Sequence, residues 1–101
     1  AKVATGTYTG TGTYDFSNPN SLTFSFAPQV VIIINDDNRS QAVLFPQSGL
    51  GTHWYYVGGT TYARSLTASI SGNTVSWYYS WGDAVGQANS SGYTYHYVAI
   101  G

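Results

Sequence analysis

The stretch YARSLTASISGNTVSWYYSW, from Tyr62 to Trp81, decides the fold of this chain. The dipeptide Gly72-Asn73 lies near its middle and is typical of a two-residue hairpin turn. Polar and apolar residues alternate on both sides of the dipeptide, as they do in strands that bury only one face. The pattern therefore predicts an antiparallel β-hairpin that turns at Gly72 and Asn73.

Counting outward from the turn gives the register of this hairpin. One face is then apolar except at its far end, while the other carries Ser, Thr and Tyr. Because one period of two fits both arms, the register is strongly specified. Arg64 opposite Trp81 would form either a cation–π pair or part of a binding site. The predicted pairs are Ser71–Thr74, Ile70–Val75, Ala68–Trp77, Leu66–Tyr79 and Arg64–Trp81.

The rest of the chain also has strand patterns, and no segment has the period of a helix. The run Val30 to Ile34 is β-branched throughout, so we expect a central strand covered on both faces. The closing strand, Tyr93 to Ile100, has aromatic residues on one face and His96 among aliphatic residues on the other, which favours a central position or a subunit interface. The other predicted strands are GTYTGTGTY (residues 6–14), Leu22 to Phe26 ended by Pro28, Ala42 to Phe45 closed by Pro46, and Trp54 to Val57.

These segments predict one all-β domain over residues 1–101, a compact antiparallel β-sandwich of six to eight short strands. A chain of this length cannot divide its buried surface between two cores. It begins at Ala1 rather than Met, and we expect it to be the C-terminal domain of a longer polypeptide.

The composition limits the kinds of partner. Only seven residues are charged, whereas seventeen are aromatic and ten of these are Tyr. Three basic residues are too few for a surface that follows nucleic-acid phosphates. The longest apolar run has five residues, far below the roughly 20 needed to span a bilayer. Cysteine is absent, which excludes disulfides and thiolate sites. We therefore expect neither nucleic-acid binding nor membrane insertion.

Catalytic chemistry has little support in the sequence. A glycosidase needs two carboxylates, but the chain has no Glu, and its only acidic residues are Asp15, Asp36, Asp37 and Asp83. His53 and His96 have no nucleophile-elbow pattern near them. The run Asn35 to Asn38 offers oxygen atoms of the kind that calcium accepts, yet it lacks EF-hand spacing and a bidentate Glu. We predict a non-enzyme with no catalytic residue, cofactor or metal, and leave open whether Asp36 and Asp37 bind calcium.

The aromatic residues favour sugar binding, because Trp and Tyr rings stack on the C–H faces of sugars while Asn and Asp bond their hydroxyls. Trp54 and Tyr56 follow a Gly-rich loop, and Trp81 and Asp83 lie beside the polar segment 82–92. His53, at the start of a strand, is expected to be exposed. The alternative for each aromatic residue is the core or a subunit interface. The predicted ligand-binding residues are Trp54, Tyr56, Trp81, Asp83, His53 and Asn89.

Two segments resemble a known family. The opening GTYTGTGTYDFSNPNSLTFSFAPQVVIII (residues 6–34) and the closing YTYHYVAIG (residues 93–101) look like the C-terminal receptor-binding tip domains of phage and prophage tail-fibre proteins. In size and strand content the chain is more distantly similar to H-type lectin domains. The resemblance covers about a third of the chain and leaves residues 35–92 unmatched. It implies a compact, usually trimeric β-sandwich that binds a host-surface receptor, often a glycan.

We therefore expect a non-enzymatic, homotrimeric receptor-binding tip that contacts host-surface carbohydrate, located on the virion or otherwise extracellular. An excess of large rings over what one thin sandwich can cover supports the oligomer. Two alternatives stay open: a structural module that only trimerises or caps a fibre, and a monomeric carbohydrate-binding module appended to a secreted hydrolase. The sequence does not specify the glycan, the host or the upstream domain.

Overall fold

Residues 2–101 form eight β-strands and one short 3-10 helix, so the all-β prediction is confirmed. The computed structural model of the protein describes residues 2–101. Every pairing between strands in this part of the chain is antiparallel. The strands are β1 (Val3–Thr9), β2 (Asn20–Thr23), β3 (Val30–Asn35), β4 (Ser40–Phe45), β5 (Leu50–Val57), β6 (Thr60–Ser71), β7 (Thr74–Tyr78) and β8 (Thr94–Ile100), with the 3-10 helix at Pro46–Ser48.

All eight strands belong to one curled sheet in the order β1-β8-β3-β4-β5-β6-β7-β2. The curl brings the two ends of the sheet together, because the ring of Tyr8 in β1 lies 5.7 Å from the ring of Trp77 in β7, edge to face. One face of the sheet therefore encloses the core in a sandwich-like arrangement, and the other faces outward. We call these the inner face and the outer face.

The Gly72-Asn73 hairpin has the predicted register from its turn as far as Thr67–Tyr78. The two outermost predicted pairs, Leu66–Tyr79 and Arg64–Trp81, are wrong. The ladder ends at the Thr67–Tyr78 pair. The backbone N–H of Tyr79, which in this register points away from β6, donates to the side-chain oxygen of Gln87 at 2.9 Å.

The strand predicted over Leu22 to Phe26 is shorter than expected and ends at Thr23. Thr23 pairs with Thr74, the first residue of β7, so the partner strand has reached its own turn and has little more backbone to offer. Phe24 and Phe26 nevertheless keep the alternation and are buried in the core. The pattern located the core-facing side chains correctly and overstated the length of the strand.

β3 is central in the sheet, between β8 and β4, as predicted from its β-branched run. Its inner side chains Val31 and Ile33 are completely buried. The expectation that both faces are covered is wrong for the single chain, since Ile32 and Ile34 on the outer face are 38% and 46% exposed. A run of β-branched residues suits any strand, whatever covers its second face.

The inner face is closed by two long connections, residues 10–19 between β1 and β2 and residues 79–93 between β7 and β8. Gln87 is fully buried, and its side-chain oxygen accepts from the backbone N–H groups of Asp15 and Tyr79, both at 2.9 Å. Its amide nitrogen donates to the backbone oxygen of Asn18 and to the Asn20 side chain, also both at 2.9 Å. This one side chain therefore joins both connections to the sheet.

Candidate binding surfaces

The predicted ligand-binding residues lie on opposite sides of the protein. Consecutive side chains of a strand point to opposite faces. His53 points inward, where its Nδ1 donates to the backbone oxygen of Gly86 in the 79–93 connection. Trp54 and Tyr56 therefore both point outward, on the opposite face of β5 and away from that connection. Trp81 and Asp83 belong to the connection itself. The fold therefore separates Trp54 and Tyr56 from Trp81 and Asp83 and does not form one site from all four.

His53 is buried, and the expectation that it is exposed is wrong. Its Nε2 and the Ser40 hydroxyl are hydrogen-bonded, and its Nδ1 lies 2.8 Å from the backbone oxygen of Gly86. Because a carbonyl only accepts, Nδ1 carries the proton and the hydroxyl donates to Nε2. Loss of solvation lowers the pKa of His53 from 6.5 to about 4. With both nitrogens engaged, this histidine holds the 79–93 connection against β4 and β5.

Asn89 is also buried and is held by internal hydrogen bonds. Its amide nitrogen donates to the Thr11 hydroxyl at 2.8 Å and to the backbone oxygen of Thr13 at 2.9 Å. Its oxygen accepts from the backbone N–H of Thr11 and from the Asn20 side chain, both at 3.0 Å. The amide has no hydrogen-bonding capacity left for a ligand. The structure thus gives Asn89 a role in fixing the 10–19 connection.

The outer face of five neighbouring strands, β1, β8, β3, β4 and β5, is uncharged and carries apolar side chains interspersed with Thr, Gln and His. These strands contain no Asp, Glu, Lys or Arg. The register aligns their outward side chains in rows, such as Ile32 beside Val98 and Val43, and Ile34 beside His96 and Gln41. The large exposed members of this outer face are Val3, Ile32, Ile34, Phe45, Leu50 and Trp54.

The outer face is large enough to be an interface. Five strands about 4.8 Å apart, each contributing about five residues of 3.3 Å, cover roughly 400 Å² in projection. This area includes polar positions such as Gln41 and Thr52. The largest apolar patch of a typical monomer is about 300–600 Å² and is often a binding surface. Burial here would desolvate no ionic side chain, which removes the largest cost of association. Trp54, 47% exposed, lies at one edge of this surface.

Tyr56 continues the outer side of β5 beyond Trp54 and has a cationic neighbour. The guanidinium of Arg39 lies 5.0 Å from the centre of the Tyr56 ring, within the range of a cation–π contact. Arg39 follows Asp36 and Asp37 in the turn between β3 and β4, and its φ of 52° is left-handed. Tyr56 is therefore half-covered by a flexible, charged side chain and differs in character from the apolar rows beside it.

The second candidate surface is a cleft of about 160 Å³ at the Gly58-Gly59 end of the inner face. β6 supplies Tyr62 and Arg64, and the 79–93 connection supplies Asp83. Burial raises the pKa of the Tyr55 phenol, and the nearby Asp83 carboxylate raises it further while Arg64 opposes the rise. The Asp83 carboxylate and the Arg64 guanidinium thus shift the pKa of Tyr55 in opposite directions. The cleft is lined by Tyr55, Val57, Tyr62, Arg64, Asp83 and Val85.

Arg64 is fixed by aromatic rings, although not by the ring that the sequence suggested. Its guanidinium lies 5.0 Å from the ring centre of Tyr62 and 5.9 Å from that of Tyr79. Trp81, which was expected opposite Arg64, is instead 83% exposed in a turn two residues before Asp83. The most exposed tryptophan of the chain is therefore on the same connection as the cleft's only acidic residue.

Asp83, one of the predicted ligand-binding residues, lines the cleft, whereas Trp81 does not. Tyr55 and Tyr62 line it and were not predicted as binding residues. Tyr55 was one of three consecutive aromatic residues, and the alternation alone does not say which side of β5 is covered. The rings of Tyr55 and Tyr62 stack at 5.4 Å because these residues are directly paired between β5 and β6. The Gly58-Gly59 turn, which fixes that pairing, was the signal that could have identified Tyr62.

The third candidate surface is a cleft of about 240 Å³, which lies where the two ends of the sheet face each other. Tyr8 and Asn20 line it from the two edge strands, and Thr11 and Thr13 line it from the 10–19 connection. The Tyr8 hydroxyl donates to the backbone oxygen of Ala88 at 2.7 Å, and burial raises its pKa. The polar groups that line this cleft are engaged in hydrogen bonds within the chain. The cleft is therefore primarily a polar contact between the two ends of the sheet.

Comparison with known proteins identifies no relative: no family model matches the chain, and neither does any curated protein or solved structure. No helix within residues 2–101 is long and apolar enough to cross a bilayer. In the same described part of the chain, no three His, Cys, Asp or Glu side chains are grouped closely enough to hold a metal ion. The functional proposal therefore rests on the contacts, burial and charge of the chain's own surfaces.

Proposed function

We propose that this domain is a non-enzymatic adhesion domain that binds host-surface carbohydrate as the tip of a phage or phage-like fibre. The observation that carries the proposal is the exposed Trp81, two residues before Asp83, which lines the cleft together with Tyr62 and Arg64. An open tryptophan face suits the C–H face of a sugar, and the adjacent polar groups suit its hydroxyls. Only one residue lining the cleft, Asp83, is acidic, whereas glycoside hydrolysis requires two carboxylates.

The outer face supports the homotrimer within this proposal. Copies of the chain would cover the exposed Ile32, Ile34 and Leu50 side chains, which otherwise stay in contact with water. The cleft lies on the inner side of the sheet, so an assembly through the outer face leaves it open. Several weak sugar sites acting together gain roughly 10²–10⁴ in avidity. The two surfaces therefore suit a multivalent adhesin located on the virion or otherwise outside the cell.

The test is binding of the purified domain to a panel of immobilised bacterial-surface glycans. We expect the wild type to bind a subset of the panel and Trp81→Ala to lose roughly fivefold to a hundredfold in affinity, because stacking on one ring is worth roughly 1–3 kcal/mol, a value taken from ring stacking on bases. Phe16→Ala is the matched control, since Phe16 is another exposed aromatic residue, 70% accessible, on a different connection. Equal binding by the wild type and Trp81→Ala would contradict the proposed site.

A structural module that trimerises or caps a fibre is the second candidate, and the uncharged outer face favours it. That face would serve such a module without any ligand. Cell attachment that persists after substitution of both Trp54 and Trp81 would support this alternative. A monomeric carbohydrate-binding module appended to a hydrolase would instead bind glycan through the cleft and show no self-association through the outer face.

A further inference from the structure

Two of the chain's seven charged residues meet in one small cleft. Arg64 and Asp83 are both half-buried there, among Tyr55, Tyr62 and two valines. Their formal charges cancel, so the cleft has no net charge with which to select an ion. An anionic ligand would meet Asp83 as well as Arg64, and a cationic ligand would meet Arg64 as well as Asp83.

The guanidinium of Arg64 is only partly used by contacts within the chain, among them a hydrogen bond with the Tyr55 side chain. A guanidinium carries five N–H donors. In the described residues, Nη1 donates to the backbone oxygen of Ala63 at 3.1 Å, and Nε is buried without a hydrogen-bond partner. Contacts with the Tyr62 and Tyr79 rings hold the group in place. Arg64 is thus a positioned donor whose hydrogen bonds the chain itself does not use up.

Asp83 complements Arg64 as a positioned acceptor. One carboxylate oxygen, Oδ1, accepts from the backbone N–H of Gly86 at 2.8 Å, which fixes the side chain on its loop. An ionised carboxylate accepts several hydrogen bonds, so the second oxygen remains able to accept from a ligand. A methyl group on Gly86 would come within 2.7 Å of Oδ1, so glycine at this position lets the loop fold closely around the carboxylate.

A hydroxyl group can accept one hydrogen bond and donate another, and two neighbouring hydroxyls can satisfy Arg64 and Asp83 together. We propose that the cleft binds one uncharged sugar unit through two adjacent hydroxyls, which accept from Arg64 and donate to Asp83. This inference rests on the proposed function and specifies its ligand. The volume of about 160 Å³ equals roughly five water molecules at about 30 Å³ each, which suits a single terminal ring. Val57 and Val85 offer apolar contacts for its C–H groups.

The experiment measures binding of methyl glycosides to the purified domain by ligand-observed NMR titration. The probes are neutral methyl hexosides, their deoxy analogues that lack one hydroxyl of an adjacent pair, and methyl glucuronoside as the anionic probe. We expect at least one neutral hexoside to bind, its deoxy analogue to bind roughly tenfold more weakly, and the glucuronoside to gain nothing from its charge.

Two substitutions test the residues directly. Asp83→Asn keeps an oxygen for the Gly86 N–H and removes the charge, and Arg64→Gln removes the guanidinium fork; each should weaken hexoside binding roughly tenfold. Asp36→Asn and Lys2→Gln remove the same charges at exposed positions and should change nothing. Thermal unfolding of each variant checks that the domain remains folded.

The outcomes separate this inference from the proposed function. Hexoside binding that survives both cleft substitutions, or binding confined to longer glycans, would overturn the inference and leave glycan adhesion standing. Tighter binding of methyl glucuronoside that increases further in Asp83→Asn would also overturn it, in favour of an acidic sugar held by Arg64 alone. Failure of every glycoside and of the whole glycan panel would remove both.

Discussion

Single buried side chains hold the long connections of this protein in place. His53 is one of them, and its lowered pKa makes its contribution measurable. Its ring is buried, with Nε2 bonded to the Ser40 hydroxyl and Nδ1 to the backbone of Gly86. Desolvation lowers its pKa from 6.5 to about 4, although the Gly86 carbonyl and Asp83 act in the opposite direction. The neutral ring is therefore a condition for the closed inner face.

Stability should consequently depend on pH. Between pH 6.5 and pH 4 the unfolded chain takes up a proton that the folded chain does not. The free energy of unfolding is therefore greatest above pH 6.5 and falls as the pH drops through that window, by roughly 3 kcal/mol in total. Urea denaturation across the window measures the slope. His53→Gln should remove this contribution, whereas His96→Gln, at an exposed position, should keep it; an equal slope in all three proteins would contradict the assignment.

The positions of His53 and Asn89 could not be predicted from sequence because each depends on a distant contact. A period of two says that His53 and Trp54 point to opposite sides, but not which side a loop covers. Asn89 lies in a polar, Gly-containing segment of the type that is usually exposed. Its partners, Thr11 and Thr13, are far away in the chain. The exposed turn position of Trp81 was not predicted either, because the hairpin alternation placed this residue in a strand opposite Arg64.

At the level of elements, the local hairpin was predictable and the long connections were not. Gly72 has a φ of 60°, as a tight hairpin turn requires, and the alternation fixes the register from there. The pairing of β1 with β8 joins the two ends of the chain, and no local pattern specifies it. The extra strand length expected at Tyr79 and Trp81 is not formed: β7 ends at Tyr78, and the backbone N–H of Tyr79 donates to the side-chain oxygen of Gln87.

Gln87 offers a test of the way the two connections are joined. Gln87→Glu keeps the shape and the acceptor oxygen but replaces the amide that donates to Asn18 and Asn20 with a second oxygen. The oxygens of Asn18 and Asn20 would then face an acceptor on a buried side chain, and we expect a loss of roughly 2–4 kcal/mol in the free energy of unfolding. Urea denaturation measures it, with Gln29→Glu as the exposed control. A loss no larger than that of the control would show that the connections are held by other contacts.

The whole molecule presents two surfaces with different chemistry. The inner side has a small cleft with one guanidinium, one carboxylate and several phenol groups. The outer face has five strands without a formal charge and six large, exposed apolar side chains. The low content of charged residues in the sequence indicated an uncharged surface. Only the order of the strands shows that the exposed apolar side chains of the outer face are contiguous. Self-association and ligand binding can therefore take place on separate sides.

We propose that identical chains assemble through the outer face and leave their clefts free for ligand. The most direct test is the solution mass by light scattering across a dilution series. We expect a stable mass near three times 10.9 kDa. Ile34→Lys, in the middle of the five uncharged strands of the outer face, should reduce the mass to that of one chain. Ser69→Lys, on β6 and so outside those five strands, should not. A wild-type mass of 10.9 kDa at every concentration would contradict the claim.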